Sequence, residues 1–281
     1  MSSGKEQPLL SFGVIADVQY ADIEPKEERH FRASLEKLKA AVADLSGEGL
    51  AFTLQVGDLI DQGMGSLEQA LPVFGALGHP VHHVLGNHDF SVEEDEKVEI
   101  PERFGLERGY RRFQQNEVQV LLLDTNEISS YRYPKASPVG KAAAELMVQM
   151  ARSGDNQARP WNGGTSKTQL DWLRRQLQAA EATGEPVVIC GHHPLLPEEG
   201  HQAWNSREIL AVIEEFTCVR AYLCGHHHNG AQVMHGGVPY ITFRSMLHEP
   251  DVTAYAVVRL FADRLVIEGR GREESREIAF S

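Results

Sequence analysis

Five short clusters of metal-binding residue types punctuate the chain. They are Asp17-Val18-Gln19, Gly57-Asp58, Gly86-Asn87-His88-Asp89, Gly191-His192-His193-Pro194 and Gly225-His226-His227-His228. Together they offer carboxylates, amides and imidazoles. That mixture suits borderline to hard divalent cations such as Mn, Fe, Zn or Mg. Taken singly, each cluster has a bland reading. An Asp after a strand is usually a turn or a helix cap. Gly-Asn-His is a turn in most chains, and three consecutive histidines can be a surface tract. Five such clusters in matching contexts, each at the end of an apolar run, instead make coincidence improbable and point to a metal site.

The elements that must position these clusters are legible from periodicity. Runs 9–16, 51–56 and 80–85 read as buried strands, each ending at a cluster. Helical spacing over 25–45 and 66–77, the second with a Ser66 cap, fills the gaps. Residues 110–115 and 117–123 predict a hairpin around Asn116. The stretch 127–164 is rich in Pro and Gly and reads as a surface excursion with one helix, 141–152; long loops of this kind are usually lids or binding loops. Helices over 166–182 and 205–216 alternate with strands over 186–190 and 218–224. Strands over 232–235, 238–243, 254–261 and 264–269 follow. Strand–helix alternation with polar residues at the strands' carboxyl ends predicts an α/β fold that binds its ligand there. A four-layer α/β/β/α sandwich, with two mixed sheets face to face and helices outside, uses every element. No linker interrupts the chain, so residues 1–281 are expected to form one domain.

Composition narrows the function. The formal net charge is −13, which argues against extended nucleic-acid binding. A small phosphorylated substrate is still admitted, because bound cations invert the local field. Cys190, Cys218 and Cys224 lie in apolar runs with no Cys-x-x-Cys, so reduced buried thiols and a cytoplasmic location are expected. The polar residues 1–8 hold no signal core, and no apolar run approaches the ~20 residues of a membrane span.

The order Asp-x-Gln, Gly-Asp, Gly-Asn-His, Gly-His and Gly-His-x-His resembles the calcineurin-like metallophosphoesterase superfamily. The strings Phe12-Gly13-Val14-Ile15-Ala16-Asp17-Val18-Gln19, Pro80-Val81-His82-His83, Trp161-Asn162-Gly163-Gly164, Ala203-Trp204-Asn205 and Gly269-Arg270-Gly271-Arg272 resemble its manganese-dependent ADP-ribose/CDP-alcohol diphosphatases. Gln19 stands where most of the superfamily has His, as it does in that group. The segment 22–32 is shorter than in the animal members.

The resemblance implies one metal on Asp17, Gln19, Asp58 and His228, and a second on Asp58, Asn87, His192 and His226, with Asp58 bridging. It implies two divalent ions. The hard amide oxygen of Gln19 fits Mn over Zn, with Zn, Fe or Mg as the alternatives. Asp61, where purple acid phosphatases carry Tyr, excludes a coloured ferric centre. A hydroxide shared by the metals would attack phosphorus. His88, oriented by Asp61, would touch the scissile phosphate or protonate the leaving group. Arg29, Arg32, Arg244, Trp161, Asn162 and Trp204 are candidates for substrate contact.

On a strand, His193 and His227 would point away from the metals. His82 and His83 read as core or supporting residues. His79, His201, His235 and His248 read as surface or loop residues. The implied activity is cleavage of the phosphoanhydride of ADP-ribose or CDP-alcohols, small nucleotide diphosphates. Cyclic-nucleotide or general phosphodiesterase activity at the same centre is the alternative. An inactive metal-binding module is disfavoured by the intact residue set.

Overall fold

The structure is a computed structural model that describes residues 7–280; most of the polar N-terminal segment read in the sequence lies outside them. Twelve strands are described. The first sheet has the order β12 (Arg276–Ala279), β11 (Arg264–Gly271), β10 (Ala254–Leu260), β1 (Leu10–Ile15), β2 (Thr53–Val56), β3 (Val81–Val84). The second runs β4 (Arg111–Gln115), β5 (Val118–Leu122), β6 (Val187–Cys190), β7 (Val219–Cys224), β9 (Val238–Thr242), β8 (Ala231–His235). Both are mixed. β1, β2 and β3 run parallel, as do β5, β6, β7 and β9, while the remaining pairs are antiparallel.

Three apolar clusters define four layers. Phe12, Val14, Leu54 and Val56 of the first sheet pack against Val120, Val188, Leu223 and Ile241 of the second. On the outer face of the first sheet, Ile15 and Val257 meet Leu38, Val42 and Leu45 of α1 (Ser34–Ser46) and Leu67 of α2 (Met64–Ala70). On the other outer face, Leu121, Ile189 and Tyr222 meet α5 (Lys167–Thr183) and α6 (Ser206–Ile213). The expected α/β/β/α sandwich is therefore present. Two further helices, α3 (Ile100–Arg103) and α4 (Pro138–Arg152), lie in the connections. The central strands are apolar on both faces because both faces are covered.

α5 shows how local sequence sets an element. Ser166 accepts from the Gln169 N–H at its start, and Gly184 (φ 72°) closes its end. Leu170, Leu173, Leu177 and Ala180 line the buried stripe between.

Three expectations need correction. The first helix starts at Ser34, not at residue 25, because Lys26 and Arg29 pair their backbones and Arg29 bridges to His248. The second starts at Met64 behind Gly63 rather than at a Ser66 cap, and passes at Pro72 into a 3-10 turn, since proline offers no N–H. β12 was not anticipated: Arg276 and Glu277 give its short run little strand signal.

His83 on β3 is buried, with Nδ1 beside Gln55 Oε1 at 3.2 Å. Burial, aided by the Arg111 charge, pushes its imidazole down to about 3. The unfolded chain takes up a proton below the ordinary pKa of ~6.5 that the folded chain refuses, so stability falls as pH drops. From pH 7 to pH 5 this one group should cost about 2 kcal/mol. Urea unfolding of His83→Gln should show an acid-side loss smaller by that amount; an unchanged pH slope would refute the assignment.

Candidate metal centre

The clusters converge at the carboxyl ends of β1, β2, β3, β6 and β7, but not by strand alternation. β1 ends at Ile15, and Asp17, Gln19, Asp58 and His226 all have left-handed φ, at 46°, 45°, 55° and 69°. Non-glycine residues rarely hold that conformation, and such strain concentrates at functional sites. Asp17 and Gln19, two positions apart, would share one face of an extended strand; sharp turns bring them together instead. Glycine precedes Asp58, Asn87, His192 and His226, and close approach is one reason for it. A Cβ on Gly86 would lie 2.1 Å from Asp58 Oδ1, and one on Gly57 would lie 2.2 Å from His192 Nδ1.

Asp58 sits at the middle. Its Oδ1 accepts from the His88 backbone N–H at 2.7 Å, its Oδ2 accepts from Gln19 Nε2 at 3.0 Å, and His192 Nε2 is 3.4 Å away. His192 Nε2 also lies 3.1 Å from Asn87 Oδ1 and 3.2 Å from His226 Nδ1. His228 Nε2 is 3.1 Å from Gln19 Nε2 and 3.8 Å from Asp17 Oδ1. The donor atoms of Asp17, Asp58 and His192 all fall within 4.8 Å of one another.

These residues fit divalent cations. Burial pushes the Asp17 carboxyl up to about 8, against the pull of His192. A cation beside it would offset that cost. Gln19 Oε1 is buried without a hydrogen-bond partner, and a half-turn of the amide would bring it to the centre.

The surrounding shell fixes which imidazole nitrogen faces inward. His192 Nδ1–H donates to Val56 O at 3.0 Å, leaving Nε2 as the free donor. The Asn162 amide donates to Gln157 O and Gly200 O, so its Oδ1 must accept from His226 Nε2–H at 2.9 Å. That leaves His226 Nδ1 for a cation. His228 Nδ1 meets His248 Nε2 at 2.9 Å. The loop carrying His248 is held by Lys37, whose buried ammonium donates to the carbonyls of Met246, His248 and Glu249. Asp89 collects the backbone N–H groups of Asp58, Leu59, Ile60 and Gly86 at 2.8–3.2 Å, tying the β2 and β3 turns together.

His88 and Asp61 are paired, Nδ1 to Oδ1 at 2.9 Å. Burial alone would lower the His88 imidazole. The Asp58 charge and the Asp61 hydrogen bond outweigh it and lift the group to about 9. His88 lines a cavity of about 540 Å3, whose walls include Arg29, Tyr131, Trp161 and His201. Arg29 and Trp161 thus stand where the sequence expected substrate.

The other candidates stand elsewhere. Arg32 is engaged with Asp22 and Glu24 on the exposed side. Arg244 is spent on Glu274 and on the Asn229 and Arg272 carbonyls. Trp204 is buried, with Nε1 on Arg159 O. Asn162 is fully buried and holds His226 rather than facing the cavity.

His193 does not point away. Its ring lies 4.4 Å from that of His226, because both follow the ends of their strands, where alternation has lapsed. Both its nitrogens are taken, Nδ1 by Thr125 Oγ1 and Nε2 by Trp161 O, so it anchors the end of the excursion. His227 stacks on His201, which lines the cavity instead of the surface. Asp89, His193, His248, Lys37 and the role of Asn162 were not foreseen. Only Asp89 and His193 left a trace in the sequence, as members of their clusters.

With this geometry, the comparisons with known proteins gain meaning. The calcineurin-like phosphoesterase family matches residues 10–230. The chain is 31% identical to the manganese-dependent ADP-ribose/CDP-alcohol diphosphatase of Homo sapiens, over 98% of this chain and 94% of that one. It is 30% identical to that of Arabidopsis thaliana, over 99% of both. The crystal structure of a dimetal phosphatase from Danio rerio superposes with a TM-score of 0.87 at 27% identity, covering 98% of this chain and all of the other. The chain therefore belongs to the calcineurin-like phosphoesterase family, as a metal-dependent hydrolase of phosphoric esters.

Proposed function

We propose that this protein, as one domain, hydrolyses the phosphoanhydride of ADP-ribose or CDP-alcohols and releases nucleoside monophosphate. The observation that carries this reading is the convergence of seven donors, Asp17, Gln19, Asp58, Asn87, His192, His226 and His228, beside a paired His88–Asp61. Similarity to diphosphatases along almost the whole chain supports the substrate class. Two divalent cations, manganese by that similarity and by the amide donor of Gln19, would supply positive charge to the phosphoryl oxygens and acidify a water between them.

The chain's own residues do the rest. Asp58 joins the two halves of the donor set. Asp61 holds His88 Nδ1, so Nε2 is left to face the substrate and give its proton to the departing oxygen. Arg29 supplies positive charge at the cavity wall, and Trp161 an exposed aromatic face. No described helix is long and apolar enough to cross a membrane, and the three free cysteines are buried. A reducing, cytoplasmic setting fits both.

The test is a substrate panel run in parallel with Mn, Mg and Zn. ADP-ribose and CDP-choline should yield AMP and CMP, fastest with Mn. Brisk turnover of 2′,3′-cyclic AMP with none of the two diphosphates would replace this reading with a cyclic phosphodiesterase.

A further inference from the structure

The active-site opening has two lobes that meet at His88. The lobe on the donor side holds Asp58, Asn87, His226 and His228 and is walled by Trp161 and His201. A second cavity of about 640 Å3 lies on the other side, lined by Asp61, Gln62, Lys26, Glu24 and Glu27. Arg29, His88 and Ser91 line both.

The two lobes differ in chemistry. The donor-side lobe presents aromatic surface: Trp161 is 43% exposed, and Tyr131 and His201 stand beside it. Flat π faces are what a nucleobase stacks on. The outer lobe is lined mostly by charged and polar groups, with Ile23 beside them, and its Phe31 is buried. Such a surface suits a small polar phospho-alcohol. The Arg29 guanidinium makes no hydrogen bond or ion pair with another side chain or carbonyl among the described residues. It stands between the lobes, and Lys26 adds an exposed cation on the outer side. Unpaired cations at that junction match the second phosphate of a diphosphate. Asp61 lines only the outer lobe, so the His88–Asp61 pair faces the side on which that second phosphate would lie.

We infer that the nucleoside occupies the donor-side lobe and the phospho-alcohol leaves through the outer lobe, so that water attacks the phosphorus carried by the nucleoside. This rests on the diphosphatase reading and adds its regiochemistry. The water oxygen bonds to the nucleoside phosphorus. The bond from that phosphorus to the bridging oxygen breaks, and the bridging oxygen departs on the alcohol's phosphate with a proton from His88. Water and ADP-ribose thus give AMP and ribose 5-phosphate, with nothing else consumed.

Hydrolysis of ADP-ribose and CDP-choline in 18O-water, read by mass spectrometry, tests this with the intact protein. One 18O should appear in AMP and CMP and none in ribose 5-phosphate or phosphocholine. Label in the alcohol phosphate, or in both products, would overturn the inference while leaving the diphosphatase reading intact. Release of neither monophosphate would overturn both. As a second measurement, Lys26→Ala should lower the ratio of kcat/KM for ADP-ribose to that for bis-p-nitrophenyl phosphate by about fivefold, since the latter has no second phosphate. A ratio equal to wild type would remove the outer lobe from the substrate's path and overturn the assignment.

Discussion

Asp58→Asn should lower turnover of ADP-ribose by roughly 1,000-fold or more and reduce bound metal well below two equivalents. The substitution keeps the side chain's shape and removes its charge. Burial opposes that charge, but the neighbouring His192 and His88 imidazoles prevail and hold the carboxylate below its ordinary range. An amide offers one acceptor where the carboxylate offers two. Its NH2 group would face either the His88 N–H or the Gln19 amide, both of which donate to Asp58. The shared donor of the site is thereby lost while the fold is retained. Metal content by plasma mass spectrometry, with thermal unfolding as a control for folding, checks this. Full metal occupancy with near-normal kcat would remove Asp58 from its bridging role.

His88→Ala should behave in the opposite way. Its side chain is absent from the donor cluster and bonded instead to Asp61. We expect kcat to fall by about 100- to 10,000-fold, the usual contribution of a positioned general acid, with metal content unchanged. Asp61→Asn should reproduce part of that loss, because it removes the charge-assisted hydrogen bond that orients the ring. The leaving group supplies a sharper readout. A substrate that departs as p-nitrophenolate needs little protonation, so the variant's deficit should shrink on it relative to ADP-ribose. Loss of metal from His88→Ala would mean that the residue is a ligand and that the division of labour drawn here is wrong.

Much of the site was legible because its parts are written locally. An apolar run followed by glycine and a polar donor marks a strand end, and the same signal recurs at Asp58, Asn87, His192 and His226. The inference failed wherever it leaned on strand geometry past the strand's end. Period-two alternation turns His193 away from the metals, yet β6 stops at Cys190 and the His193 ring lies beside that of His226. Alternation holds only while the backbone stays extended, and His226 already sits at φ 69°. Some substrate candidates stand away from the cavity for a different reason. Nothing in a sequence says that Arg32 is satisfied by Asp22 and Glu24 while the Arg29 guanidinium has no partner among the described residues.

The sequence by itself determined the donor types, their order, and the α/β framework that carries them to strand ends. Each of these depends on residues within a few positions of one another. The tertiary structure decided which nitrogen of each histidine faces the centre and what braces it. Asn162 reaches His226 across 64 positions, and Lys37 reaches the loop of His248 across more than 200. Those partners lie in a connection, a helix and loops far apart along the chain, and they meet only when the chain packs. Local pattern therefore named the chemistry, and long-range packing oriented it.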